Sequence, residues 1–381
     1  MKSASVKPAT DPMLIVTLLA LIGLGTIMVG SSSIAIGDDD YGEPLFFLIR
    51  HLFAIGLGLA GMLVAIRMPI VWWNRLSSFA LIGAIALLAL VLIPGIGDRV
   101  NGAQRWIDFG PIRLQASEPA RLLLLIYVAS YCVRQNQALR SGFSGFARPV
   151  LLIGLCSLLL LKEPDFGATV VLTVTSFGVL FLAGARIRDV ALASIAATGV
   201  FAVLIVSSSY RLERFLSWLN PWQDQYDTGY QLVNSLYAIG SGLWFGVGLG
   251  AGVQKHHYLP EPHTDFVFAV LAEELGLVGA SLLIALFAML VYKAFDLGRR
   301  ASQLGLKLHS LLAMGIGLML GLEAVISIGV STGLLPTKGL ALPLISYGRT
   351  SAVVTLFALG ILFRAAHEIG LAEQRTGKRT S

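Results

Sequence analysis

The chain has 381 residues, of which 56% are hydrophobic and only 13% charged, with a formal net charge of +6 and a mean hydropathy of +0.77. Soluble proteins average about 25% charged residues, so the composition excludes a soluble protein and predicts an all-α polytopic membrane protein. The two cysteines, Cys132 and Cys156, lie in or beside apolar segments and predict neither a disulfide framework nor a metal site. The excess of Lys and Arg is interpreted as a topology signal and not as nucleic-acid binding.

Apolar segments of about 20 residues are long enough to cross a bilayer as helices. The sequence contains about ten of them, which would place both chain ends on the same side of the membrane. The predicted spans are 13–33, 45–66, 77–94, 116–134, 148–162, 168–184, 188–208, 266–293, 308–332 and 340–364. The Lys and Arg distribution predicts a cytoplasmic N-terminus. The predicted parts are therefore a cytoplasmic tail (1–12), a transmembrane domain (13–368) and a second cytoplasmic tail (369–381).

Two of the predicted outer loops are long enough to carry function. The first covers about 95–115, and the second, at about 209–264, is far longer than the usual connection. Tryptophans and tyrosines interspersed with apolar residues predict that the second loop is structured, with an amphipathic surface helix at 229–239. Its glycine-rich part, 240–252, is interpreted as a flexible turn against the membrane and not as a phosphate-binding loop.

The stretch YLPEPHTDFVFAVLAEEL (258–275) is the most informative part of the chain. Asp265 directly precedes the apolar run of the eighth predicted span. An ionisable residue at a membrane boundary is a candidate functional residue, although Thr264 or Asp265 could instead cap the helix. Glu273 and Glu274, further along the span, are predicted to be structural partners of cations because they lie about 12 Å from Asp265.

Other polar residues are predicted to lie at or inside the same outer boundary. They are Arg105, Arg113, Glu118, Arg121, Lys162, Glu163, Asp165, Lys255, Glu261, His263, Lys338, Ser346, Tyr347 and Arg349. One interpretation is that these groups form structural ion pairs. The other is that several cations hold an anionic head group such as a pyrophosphate, and one carboxylate remains available as a base.

Four motifs carry a resemblance to a known family: GAQRWIDFGPIRLQASEPAR, EPDFGATVVL, YLPEPHTDFVFAVLAEELG and LPTKGLALPLISYG. In this order among ten spans they resemble the SEDS family, over about residues 11–368, and its division-type branch more than its elongation-type branch. The resemblance implies a peptidoglycan glycosyltransferase in the bacterial cytoplasmic membrane at the division septum, with its active site on the outer face. It also implies lipid II as substrate, and a class B penicillin-binding protein and other divisome membrane proteins as partners.

The resemblance also assigns roles to residues. It implies that Asp265 is the essential catalytic residue, that Glu261 assists it, and that Arg113 and Arg121 handle the lipid substrate. Four positions depart from the usual family pattern: Arg121, which keeps the charge of the usual lysine, and Glu323, Ser327 and Arg349.

The mechanistic hypothesis is an inverting displacement with Asp265 as general base. Because a pyrophosphate departs, nearby cations would stabilise it. The candidate substrate-binding residues are Arg105, Arg113, Glu118, Arg121, Lys255, His263, Lys338 and Ser346. The sequence identifies no definite cofactor; the one candidate is a divalent cation such as Mg²⁺ or Mn²⁺, which could bridge Asp265 or Glu261 to the substrate. The alternatives are a lipid II flippase or transporter, an elongation-type polymerase, and a scaffold without chemistry of its own.

Overall fold

Helices make up most of the protein. The computed structural model describes residues 11–100, 102–108, 113–256 and 258–380. The helices are α1 Pro12–Tyr41, α2 Phe46–Arg67, α3 Ile70–Val91, α4 Ser117–Arg134, α5 Asn136–Ser141, α6 Phe143–Lys162, α7 Phe166–Leu182, α8 Ile187–Val206, α9 Ser209–Leu219, α10 Tyr230–Ser241, α11 Val267–Gln303, α12 Lys307–Ser331 and α13 Arg349–Thr380.

Eight of the helices are long and apolar enough to cross a membrane, namely α1, α2, α3, α6, α8, α11, α12 and α13. Helices α4 and α7 coincide with two further predicted spans, but α7 is shorter and α4 carries Glu118, Arg121 and Arg134. The predicted polytopic helical membrane architecture is confirmed. The count of ten spans stays a prediction.

The last predicted span begins later than the sequence indicated. Residues 340–348 are irregular, with Leu344 in the left-handed region at φ 64°, and the helix starts only at Arg349. The main-chain N–H of Leu342 donates to Oγ of Ser346 at 2.9 Å, which stabilises this irregular turn. At its other end α13 continues to Thr380, so the predicted C-terminal tail prolongs the helix.

Helix α11 is interrupted near its outer end. Gly276 adopts φ 65° and ψ −165°, which a residue with a side chain rarely tolerates. The segment before this break, from Val267 to Glu274, is buried throughout. The apolar run after Asp265 therefore packs inside the protein, and the lipid-facing part of α11 begins only after Gly276.

The first outer loop contains a small antiparallel sheet that the sequence did not predict. Its strands are β1 Gly97–Val100, β2 Ala103–Asp108 and β3 Arg113–Gln115, paired in the order β1-β2-β3. The N–H of Gln115 donates to Oγ1 of Thr350 at 3.1 Å, so the sheet is attached to the start of α13.

Helix pairing fixes the outer ends that surround the long loop. Helix α13 packs along α2, α12 packs along α11, and α4 lies between α3 and α7. These contacts hold α7, α11 and the α12–α13 connection together. The starts of α7 and α11 therefore lie near residues 332–348, and β2 and α9 border the same region.

Candidate active site

Asp265 lies in the turn that leads into α11 and does not cap that helix. Phe266 occupies the N-cap position without a side-chain hydrogen bond, while Oγ1 of Thr264 donates to Oε2 of Glu261 at 2.9 Å. The N–H of Tyr347 donates to the His263 carbonyl at 2.8 Å and fixes the turn to the α12–α13 connection. Within the described residues, no side chain donates a hydrogen bond to the Asp265 carboxylate, so it is free to accept a proton.

Four cations interact with this region of the protein. Arg105 comes from β2, Arg211 and Arg214 come from α9, and Lys338 comes from the α12–α13 connection. Arg105 is held by Nε donating to the Glu163 carbonyl at 3.2 Å and by Nη2 donating to the Pro164 carbonyl at 2.5 Å. We call Arg105, Arg211, Arg214 and Lys338 the cation group.

The ring of Phe166 joins two members of the cation group. Lys338 Nζ and Arg211 Cζ each lie 5.0 Å from the Phe166 ring centroid. Cation–π attraction at this distance offsets part of the repulsion between the two cations. Phe166 is the first residue of α7, so the start of this helix positions both charges.

The pKa of Asp265 is raised to about 7. Burial is the largest cause and the negative charge of Glu261 adds to it, while Arg105 acts in the opposite direction. The Asp265 side chain is still partly exposed to solvent. The rise in its pKa therefore comes from protein atoms packed closely around the carboxylate, and solvent still reaches it. A carboxylate with a pKa near neutrality is suited to general base catalysis.

The pKa of Lys338 is shifted in the opposite direction, downwards. Its pKa is lowered to about 8, first by burial and then by the positive charges of Arg214, Arg105 and Arg211. Like charges kept this close favour a bound anion, because an anion would relieve their mutual repulsion. The cation group therefore has the electrostatic character of an anion site beside the Asp265 carboxylate.

Two further carboxyl groups precede α7. Asp165 caps α7, because its Oδ1 accepts from the N–H of Ala168 at 3.1 Å. Glu163 is fully buried, and burial followed by the charge of Asp165 raises its pKa to about 9. Glu163 is therefore a neutral acid at pH 7.

Lys255 lies outside the cation group, contrary to its predicted contact with a pyrophosphate. Its Nζ donates to Oε1 of Glu274 at 2.6 Å and to Oγ of Ser31 at 2.9 Å, and its side chain is buried. Glu273 accepts from the N–H of Val253 at 2.9 Å. Glu274 is thus the structural partner of a cation, as predicted, whereas Glu273 binds main-chain N–H groups instead of a cation. Lys255 has a structural partner instead of an open position.

Arg121 is likewise enclosed by carboxylates. It contacts Glu118 at 2.5 Å and Glu323 at 2.8 Å, and all three side chains are buried between α4 and α12. Glu323, one of the departures from the family pattern, therefore has a defined partner. Asp165 interacts electrostatically with Arg121 as well as with Asp265, so this buried triad lies next to the candidate site.

The remaining predicted residues lie around the site with partners of their own. Arg113 forms an ion pair with Asp98 across the sheet at 3.3 Å. His263 is buried with its ring 4.5 Å from that of Phe47, and burial lowers its pKa. Ser346 is engaged in its own turn. Substrate contacts by these residues, and by Glu118 and Arg121, stay predictions.

Sequence reasoning missed Arg211, Arg214, Phe166 and Gly339. The two arginines are three residues apart on α9, which places them on one face of a helix. A Cβ atom placed on Gly339 would lie 2.7 Å from Oδ2 of Asp265, so this position is close to the carboxylate. The spacing of the arginines could have been recognised, but the contact of Gly339 depends on the folded chain.

The arrangement does not by itself form a metal site. Among the residues that the structure describes, no group of three or more His, Cys, Asp or Glu side chains is placed to hold a metal ion. Asp265 and Glu261 could supply at most two carboxylates, so a divalent cation here would need ligands from a substrate. The fold and site together define a polytopic helical membrane protein in which a partly buried carboxylate, Asp265, and the cation group lie at one end of the helices.

Comparison with known proteins identifies the family. A family model for FtsW, RodA and SpoVE, described as "Cell cycle protein", matches residues 12–370. The chain belongs to this family, and the SEDS resemblance is confirmed. It is 48% identical to a probable peptidoglycan glycosyltransferase FtsW of Thioalkalivibrio sulfidiphilus, over 93% of this chain and 89% of the relative. It is 46% identical to another from Coxiella burnetii, over 96% and 99% of the two chains.

Solved structures show the same fold. One belongs to a study of "polymerization and crosslinking by a peptidoglycan synthase complex", with a TM-score of 0.75 and 30% identity over 94% of this chain and 98% of that one. The other is the rod shape determining protein RodA of Thermus thermophilus, with a TM-score of 0.69 and 28% identity over 94% and 97% of the two chains.

Proposed function

We propose that this protein is a division-type peptidoglycan glycosyltransferase that polymerises lipid II into β-1,4 glycan strands. The observation that carries the proposal is the Asp265 carboxylate, which is free of hydrogen bonds from the described side chains and has a pKa near 7 close to the positive charges of Arg105 and Arg214. The names of the relatives, which are probable peptidoglycan glycosyltransferases FtsW, support the same reaction and its division-type role.

The proposed reaction is a single displacement with inversion at the anomeric carbon. Asp265 takes the proton from the 4-hydroxyl of the acceptor sugar as that oxygen forms a bond to the anomeric carbon of the donor. The bond between this carbon and the pyrophosphate oxygen breaks, and its electron pair leaves with the pyrophosphate. The α-linked donor thereby gives a β-linked product.

The cation group supplies the second requirement of this reaction. Negative charge grows on the pyrophosphate as the bond breaks, and fixed positive charges stabilise that growth more than they stabilise the substrate. Phe166 and the main-chain carbonyls of Glu163 and Pro164 hold Lys338, Arg211 and Arg105 before substrate arrives. A divalent cation bound with the substrate would add positive charge here.

The proposed setting follows from the same relatives and from the charge distribution. The protein would lie in the bacterial cytoplasmic membrane with Asp265 on the outer face, where a lipid-linked precursor exposes its sugars. A class B penicillin-binding protein is the proposed partner, supported by the structural relative from a complex of polymerization and crosslinking.

The decisive experiment compares Asp265→Asn with the wild type in polymerisation of purified lipid II, with the cognate penicillin-binding protein present. Loss of a general base is expected to reduce polymerisation by about 10²- to 10⁴-fold. Asp227→Asn, which changes an exposed carboxylate of the same loop, is the matched control and should keep full activity. Polymerisation by Asp265→Asn at the control's rate would refute the assignment.

A transporter of the same lipid is the second candidate. The buried triad of Glu118, Arg121 and Glu323 favours it, because ionisable residues within helices often line translocation pathways. In vesicles loaded with fluorescent lipid II, a transporter would move the lipid in both the wild type and Asp265→Asn without making polymer. A scaffold would do neither. Rescue of cell elongation but not of division would instead favour an elongation-type polymerase.

A further inference from the structure

Two polar contacts join α11 to α1 and to its N-cap residue Asp11, and their separation matches the thickness of a membrane. At one end Lys293 Nζ lies 2.8 Å from Oδ2 of Asp11, and at the other Ser31 Oγ lies 2.6 Å from Oε1 of Glu274. The two contacts are about 20 residues apart along each helix, which corresponds to roughly 30 Å. This is the thickness of the hydrocarbon core, so the contact between Ser31 and Glu274 lies at one boundary of that core.

The segment from Leu243 to Leu249 is attached to α11 at this boundary. The carbonyls of Leu243 and Trp244 accept from the N–H groups of Leu277 and Val278 at 2.9 and 3.1 Å. In the other direction, the N–H of Val247 donates to the Glu273 carbonyl at 3.0 Å. The break at Gly276 frees these main-chain groups of α11, and the segment satisfies them.

Glycines allow the two main chains to approach each other this closely. A Cβ atom on Gly246 would lie 2.1 Å from the Glu274 carbonyl oxygen, and one on Gly276 would lie 2.3 Å from the Gly246 nitrogen. Both glycines have positive φ. The glycine-rich stretch was predicted to be a flexible turn, whereas the structure fixes it to α11 by main-chain hydrogen bonds.

The side chains of this segment point away from the protein. Leu243, Trp244 and Phe245 are 76%, 67% and 82% exposed. Their apolar surface is continuous with α11, where Leu277 and Val278 are also exposed immediately beyond the break. Exposed apolar side chains on the outer part of a membrane helix face lipid, so the segment extends a lipid-facing surface.

We propose that residues 243–249 are a membrane anchor that inserts into the outer leaflet, with phospholipid acyl chains and the interface as its ligand. Non-helical main chain enters a bilayer only where its polar groups are paired, and the bonds to α11 meet that condition. Trp244 suits the interface, where tryptophan is enriched. Lys255, whose charge would oppose insertion, is buried against Glu274 on the protein side of the segment.

The position of the anchor indicates how far the candidate site lies from the hydrocarbon core of the membrane. Asp265 precedes Glu274 by nine residues, or roughly 13 Å of helix, so it lies outside the hydrocarbon at the level of the head groups or just above them. The anchor does not depend on the proposed reaction, because it rests on exposure and main-chain pairing alone.

Site-directed spin labelling in lipid nanodiscs tests the anchor. Phe245→Cys and Leu243→Cys change exposed side chains, and the native Cys132 and Cys156 are buried. Leu282→Cys on exposed α11 surface is the lipid reference, and Arg99→Cys on β1 is the water reference. Collision rates are measured with molecular oxygen, which concentrates in lipid, and with a water-soluble nickel chelate.

Both labels in the segment are expected to collide preferentially with oxygen, as Leu282→Cys does, in the protein alone. Collision mainly with the nickel chelate, as for Arg99→Cys, would overturn the anchor. If the nickel collisions then disappeared on addition of the penicillin-binding protein, the segment would be a protein docking surface instead. Oxygen accessibility that stays unchanged on this addition supports the anchor.

Discussion

The main chain at Gly339 lies directly against the carboxylate of Asp265, so that a single added methyl group would reach within 2.7 Å of Oδ2. These two residues come from different predicted motifs, LPTKGL and HTDF, which are 74 positions apart in the chain. Their contact explains why a glycine follows Lys338. The carboxylate and the lysine can share one site only if the residue between Lys338 and Leu340 has no side chain.

Gly339→Ala is therefore expected to displace the Asp265 carboxylate without unfolding the protein, because Gly339 does not have a positive φ. A displacement of about 1 Å at a catalytic group can reduce a rate about 10²-fold. The measurement is polymerisation of lipid II beside thermal unfolding in detergent. Gly240→Ala in α10, where an added Cβ has no neighbour within 4 Å, is the control and should be fully active. Normal activity of Gly339→Ala would show that the contact is unimportant.

The rate should depend on pH through Asp265. Its pKa of about 7 means that the basic form is lost below neutrality, so kcat/KM should fall about tenfold per pH unit on the acid side. Because the charge of Glu261 raises the pKa of Asp265, Glu261→Gln should lower that pKa and move the acid limb to lower pH. The full profile of both proteins is measured, and an acid limb that stays in place in Glu261→Gln would contradict the interaction.

Lys338 should govern the alkaline side of the same profile. Its pKa of about 8 means that the cation is lost above that pH, and pyrophosphate stabilisation is lost with it. Lys338→Arg should remove the alkaline limb, since an arginine stays charged. Lys338→Gln should be about 10²-fold less active below pH 8, and the difference should shrink above it because the wild type then loses the same charge. An alkaline limb that persists in Lys338→Arg would assign that limb to another group.

The buried ion pair of Lys255 and Glu274 should contribute strongly to stability. Lys255→Met leaves the Glu274 carboxylate buried without its cation, and removal of one partner of a buried pair costs about 3–5 kcal/mol. The double variant Lys255→Met, Glu274→Gln should recover most of this loss. Arg299→Ala, which breaks an exposed pair with Asp296, should cost less than about 1 kcal/mol. Thermal unfolding in detergent distinguishes these variants.

Hydropathy was sufficient to locate the helices, because lipid requires apolar segments of a fixed minimum length. The start of α2 and the end of α6 agree with the predicted spans to within a residue. The start of α13 does not agree with its predicted span, because hydropathy does not distinguish a buried irregular turn around Leu344 from a helix. The sheet that carries Arg105 was also missed, because its strands are short.

The sequence predicted only part of the candidate site, because motifs identify polar residues but not the partners that they contact in the folded chain. Asp265 and Lys338 belong to recognisable motifs, and the folded chain brings them together. Lys255 and Arg121 also belong to motifs, but whether a cation faces a substrate or a buried carboxylate is decided by packing. The carboxylates that these two cations contact are Glu274 for Lys255 and Glu323 for Arg121.

The contact of Arg121 with Glu118 and Glu323 has a mechanical consequence. Arg121 and Glu118 both belong to α4, so separating α4 from α12 would leave the Glu323 carboxylate without its cation in a low-dielectric interior, which is strongly unfavourable. The two helices therefore move as one rigid body in any conformational cycle of this protein. Domain closure, substrate entry and strand release have to use hinges elsewhere, at helices that no buried charge ties to this pair.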